Sequence, residues 1–131
     1  MDSNVILDIF LDDPRWADWS VAALADAATR APLYINPIVY SEVSIGFQEI
    51  EELEAALHKA GFQMLTIPKE ALFLAGKAYL SYRRRKGFKH SPLPDFFIGA
   101  QAAVLGMALI TRDERRYRTY FPTVKIIYPH R

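Results

Sequence analysis

The stretch Pro94-Asp95-Phe96-Phe97-Ile98-Gly99-Ala100-Gln101-Ala102-Ala103-Val104-Leu105-Gly106-Met107-Ala108-Leu109-Ile110-Thr111-Arg112-Asp113 changes its period halfway. Asp95 to Leu105 reads as an apolar helix, with the acid in its first turn and Gly106 as its stop. Met107 to Thr111 is a short uninterrupted apolar run, the signature of a strand buried on both faces. A helix feeding a buried strand predicts a βαβ arrangement, with the functional crevice beyond the strand's carboxyl end. Asp113 lies there.

Outward from this stretch the alternation continues. Asn4 to Asp12 has Val5, Ile6, Ile9 and Phe10 at helical spacing, ended by Pro14. Arg15 to Thr29 follows as an Ala-rich helix with Trp16 and Trp19 on one face, expected to pack in the core. Leu33 to Asn36 reads as a strand, and Ile38 to Phe47 as a helix with Pro37 in its first turn. Helices over Glu49 to Lys59 and Glu70 to Lys86 enclose a strand at Phe62 to Ile67, Gly87 to Pro94 is a loop, and a last strand spans Val124 to Tyr128. The expected fold is a three-layer α/β/α domain with a central, mostly parallel sheet, in one domain over 1–131.

Composition narrows the function. The 131 residues are 51% hydrophobic and 24% charged, enough for a core and against disorder. Zero cysteines exclude a disulfide framework, a thiolate zinc site and a cysteine nucleophile. Sixteen Lys and Arg against fifteen Asp and Glu give a net charge of +1, so any nucleic-acid surface must be local. The longest apolar stretch, Ala100 to Ile110, is broken by Gln101 and Gly106 and is too short to span a bilayer. Met1-Asp2-Ser3-Asn4 lacks the basic opening of a signal peptide, and a cytoplasmic protein without membrane contact is expected.

Four acids gather where the topology puts chemistry: Asp2, Glu42, Asp95 and Asp113. Singly, each suits a structural post: Asp2 an N-cap, Asp95 a first-turn acid, Asp113 a turn opener, Glu42 an edge-facing side chain. Together they do not. Two carboxylates at about 5 Å repel by about 3 kcal/mol at an effective dielectric near 20. Such a cluster shares protons or holds a cation, and oxygen-only ligands select Mg²⁺ or Mn²⁺.

These residues resemble the PIN-domain family. Asp2-Ser3-Asn4-Val5-Ile6-Leu7-Asp8 is similar to the family's opening motif, and Ser41-Glu42-Val43 to its helix-borne second acid. Pro94-Asp95-Phe96-Phe97-Ile98-Gly99-Ala100 resembles the third motif, and Leu109-Ile110-Thr111-Arg112-Asp113 the fourth. Size and element order look like the single-domain VapC-type toxins. The family's first strand precedes its first acid, whereas only Met1 precedes Asp2 here, so that strand is expected to be nearly absent or to lie upstream.

The resemblance implies a Mg²⁺-dependent (Mn²⁺ possible) endoribonuclease with Asp2 and Asp95 as principal ligands and Glu42 and Asp113 completing the set. Ser3, Asn4 and Thr111 would orient carboxylates or water. It further implies an antitoxin partner and a homodimer. Arg83, Arg84, Arg85, Lys86, Lys89 and Arg112 are candidates for the RNA backbone, with Tyr82 or Phe88 for base stacking. Two other classes stay open: a non-catalytic module binding RNA or protein, and an aspartyl-phosphate phosphatase. The latter wants a second acid where Asn4 stands. His58, His90 and His130 show no metal-ligand spacing.

Overall fold

The computed structural model describes residues 1–85 and 93–129. In chain order it forms α1 (Ser3–Phe10), α2 (Ala17–Ala28), β1 (Leu33–Ile35), α3 (Pro37–Val43) with a 3₁₀ turn at Ser44–Gly46, and α4 (Ile50–Lys59). β2 (Phe62–Met64), α5 (Lys69–Arg84), α6 (Leu93–Leu105), β3 (Leu109–Ile110), α7 (Arg115–Arg118) and β4 (Ile126–Ile127) follow.

Both strand pairings are parallel. β1 pairs with β2, Leu33 opposite Phe62, and β3 with β4, Leu109 opposite Ile126. The two ladders meet at the start of the chain: the Met1 ammonium donates to the Tyr34 carbonyl at 3.3 Å, and the Asp2 amide to the Ile110 carbonyl at 3.0 Å. Met1 and Asp2 therefore stand where a central strand belongs. Beside them is a cavity of about 380 Å³, lined by both ladders through Leu33, Tyr34, Met107, Ala108 and Ile110.

Most elements are shorter than their apolar runs predict, and α6 starts earlier. α1 ends at Phe10, before Pro14, because Asp12 takes a left-handed φ of +50°, which aspartate tolerates. The Asp13 carboxylate then accepts from the Arg15 and Trp16 amides and starts α2. α6 begins at Leu93, ahead of Asp95, with Pro94 in the first turn where a missing N–H costs nothing. The expected loop over Gly87 to Pro94 otherwise lies outside the described residues through Pro92. Asn36 caps α3 by accepting from the Val39 amide at 2.8 Å. Its amide donates to Gln101 on α6, and Gln101 donates to the Leu65 and Thr66 carbonyls. This buried polar chain ties the end of β1 to α6 and to the segment after β2.

α5 and α6 form the most extensive helix contact, and the small Ala71, Ala75 and Ala78 on α5 permit it. Phe96 on α6 packs edge-on to Tyr79 and against Tyr82 and Tyr120. Gly99 permits this packing, since a Cβ there would run into the Phe121 ring. The expectation that Trp16 and Trp19 lie in the core is not met. Both are half-buried, and Ser20 is the buried residue of α2. The outlying helix is held by a polar contact, Ser20 Oγ to Asp8 at 3.0 Å, rather than by its indoles.

Candidate active site: four carboxylates and an arginine

Asp2 precedes α1 as its N-cap, yet its carboxylate makes no capping bond. Instead its Oδ2 accepts from the Thr111 hydroxyl at 2.9 Å and the Tyr117 hydroxyl at 2.8 Å, all three residues being buried. The strand end after β3 and the inward face of α7 thus fix the Asp2 rotamer. Burial, with Asp2 beside it, pushes the Tyr117 hydroxyl well above its ordinary pKa, so it stays a donor. Thr111 has a second task, accepting from the Asp113 amide at 3.0 Å and shaping the turn that carries that acid.

Glu42 on α3 finds its partner across the crevice: the Ser3 hydroxyl donates to its Oε1 at 3.0 Å. Burial raises the Glu42 pKa and the Asp2 charge adds to that, against Ser3 and Arg116. Asp95, in the first turn of α6, is 5% exposed. Burial pushes its carboxyl up to about 6; Arg116 opposes this, while Asp2, Glu42 and Asp113 reinforce it. One residue thus feels all three other acids, and the four carboxylates occupy one electrostatic neighbourhood, brought there by four separate elements.

Arg116 stands among them. Its Nη1 reaches Asp95 Oδ2 at 3.2 Å and its Nε reaches Asp113 Oδ2 at 2.8 Å. Asp2, Glu42 and Asp95 thereby each commit one oxygen to a hydrogen bond and Asp113 one to an ion pair, and among the described residues the other oxygen has no protein donor: Asp2 Oδ1, Glu42 Oε2, Asp95 Oδ1 and Asp113 Oδ1. The Asn4 side-chain oxygen, two residues after Asp2, is buried without a partner. This donor set, all oxygen and short of positive charge, fits a hard divalent cation in its chemistry. No three acidic or histidine side chains among the described residues are already grouped to ligate one.

The sequence-predicted RNA contacts divide. Arg83, Arg84 and Arg85 are exposed at the end of α5, Arg85 lying 5.9 Å over the Tyr120 ring. Lys86, Phe88 and Lys89 lie outside the described residues. Tyr82 does not stand out for base stacking, because it packs against Tyr79, Phe96 and Tyr120. Arg112 turns away from the four acids toward the buried Asp8 at 3.0 Å and lies over the Trp16 ring at 5.3 Å. That contact is ionic, its Nε–H not being aimed at the oxygen. Sequence reasoning assigned neither Arg116 nor Tyr117 a place among the four acids. The available signal was the three-residue spacing from Asp113, which sets opposite charges on one helical face, and the lone aromatic within Arg115-Arg116-Tyr117-Arg118.

The family profile described as the PIN domain matches residues 1–122. This chain belongs to the PIN-domain family. Comparison with curated proteins gives no match. Among solved structures, this PIN-domain chain is similar to one in VapBC2 from Rickettsia felis, crystallised with a DNA fragment from the promoter. The TM-score is 0.72 at 15% identity, over 96% of this chain and 94% of that one. A chain of VapBC-1 from nontypeable Haemophilus influenzae gives 0.70 at 18%, over 97% and 94%. At such identities the likeness shows the fold, an α/β PIN-like arrangement with parallel strands. No helix among the described residues is long and apolar enough to cross a membrane.

Proposed function

We propose that this PIN-domain protein is a VapC-type toxin: a Mg²⁺-dependent endoribonuclease, held in check by a cognate antitoxin and acting as a homodimer in the cytoplasm. The observation that carries the reading is the set of four carboxylates from four elements, each with one oxygen held and one free. Structural likeness to chains of VapBC assemblies supports the toxin assignment.

Asp2 and Asp95 would hold the cation, with Glu42 and Asp113 beside them directly or through water. When bound, such an ion supplies charge neutralisation at the phosphate and water of lowered pKa at neutral pH. The chain's own part is preorganisation. Thr111 and Tyr117 hold Asp2, Ser3 holds Glu42, and Thr111 aims the Asp113 turn, so the acids are fixed on one crevice by the chain's own donors. Before the ion arrives, burial and the neighbouring acids disfavour charge on Asp95, a cost that a bound cation would relieve. The exposed arginines at the end of α5 offer backbone contacts to a flexible single strand.

The test is cleavage of single-stranded RNA with Mg²⁺ and with EDTA. Cleavage lost in EDTA and restored by Mg²⁺ is expected; metal-independent cleavage refutes the mechanism. A second reading, a module that binds RNA or protein without turnover, is favoured by the arginine bridging two of the acids. RNA binding with no cleavage in Mg²⁺ or Mn²⁺ would establish it.

A further inference from the structure

Arg116 is the one cation among the described residues that touches these acids through its side chain, and its two contacts differ in origin. Asp95 comes from the start of α6, Asp113 from the turn after β3, and the guanidinium spans them with two different nitrogens. A salt bridge that only pinned α7 would not need to reach the buried Asp95, because the next residue already anchors that helix: Tyr117 is fully buried and bonded to Asp2. The Arg116 side chain is 41% exposed, so it can rotate outward while the backbone stays in place. Its neighbours Arg115 and Arg118 are exposed too, but Arg118 lies over Tyr128 and Arg115 makes no contact with the four acids.

We propose that Arg116 is the site's resident counter-cation, bridging Asp95 and Asp113 until a divalent ion displaces it, and so setting how tightly the site takes that ion. The inference rests on the metal-dependent reading above and deepens it. A guanidinium offers one diffuse charge and no coordination, enough to keep four carboxylates together but not to neutralise them. A divalent ion seated on Asp95 is a like charge to the guanidinium, which must retreat toward solvent. Released there, beside the acids, its planar fork is suited to an incoming phosphate.

The experiment is calorimetric titration of Mn²⁺ into the full chain without RNA, comparing wild type with Arg116→Gln and Arg115→Gln. Arg116→Gln is expected to bind Mn²⁺ about tenfold more tightly, a change of about 1.4 kcal/mol, and to melt lower than wild type in EDTA. Arg115→Gln measures the general effect of losing a nearby charge and should stay within about twofold of wild type. Should Arg116→Gln fail to fold, Arg116→Lys keeps the charge, loses the two-nitrogen span, and should bind Mn²⁺ several-fold more tightly than wild type. Equal or weaker Mn²⁺ binding by the folded Arg116 variants, with binding by wild type intact, overturns the counter-cation role and spares the metal-dependent reading. Binding only after Arg116 is replaced supports displacement in its strongest form. No binding by any variant refutes both.

Discussion

Asp95→Asn separates a metal-site acid from a helix-starting one. The carboxyl is raised from 3.8 to about 6 in the folded chain, chiefly by burial, so folding favours its protonated form. The sign follows. Below about pH 4 Asp95 is protonated folded or unfolded and costs nothing; between about pH 4 and pH 6 the unfolded chain ionises while the folded chain holds its proton, so stability falls, and the loss is complete above that. Two pKa units correspond to about 3 kcal/mol. Asparagine carries no such penalty and keeps an oxygen for Arg116. The stability of Asp95→Asn relative to wild type should therefore increase by about 2–3 kcal/mol between pH 4 and pH 8, roughly 10 °C in melting midpoint for a domain of this size.

The assay is denaturant unfolding in EDTA at several pH values, read as a difference between the two proteins. The difference matters because the buried Met1 ammonium, pushed down to about 6, adds an opposite slope between pH 6 and pH 8 that both proteins share. RNA cleavage by the variant should be abolished. A difference that does not change with pH, or a variant that is less stable at pH 8 and still cleaves, refutes the reasoning.

Mg²⁺ should raise the melting midpoint of wild type and leave that of Asp95→Asn nearly unchanged, by differential scanning fluorimetry. Tyr117→Phe removes one of the two donors on Asp2; a stability loss of about 1 kcal/mol and at least about a tenfold fall in cleavage are expected, and unaltered cleavage would show that Thr111 alone positions the acid. Gly99→Ala forces the Phe121 ring aside and should cost about 1–3 kcal/mol in chemical unfolding, with the pH behaviour of Asp95 retained.

The helices and strands were legible because their periods and breakers are local: Gly106 and Pro37 punctuate where backbone chemistry demands. The four acids were legible as a set because topology sends strand ends and helix starts to one edge. What the sequence could not show is pairing across the fold. Arg112 and Arg116 are indistinguishable in a run of arginines, yet the first turns to the buried Asp8 and the second to Asp95 and Asp113. Tyr117 reads as one more apolar residue until Asp2, 115 positions away, is seen to accept its hydrogen bond. The tryptophans misled for the opposite reason: their size argues for a core that α2, held by Ser20, does not enter.

The backbone bonds that join the two ladders, at Met1 and Asp2, lie at the very residues that bring in the first acid. Any local opening of these two bonds would part the sheet and withdraw Asp2 from Thr111 and Tyr117 together. Mechanical integrity and readiness for chemistry therefore share one rivet. An ion gripping Asp2 from the crevice side would tighten it, so exchange of the Asp2 amide, which donates to the Ile110 carbonyl, should slow when the site is filled.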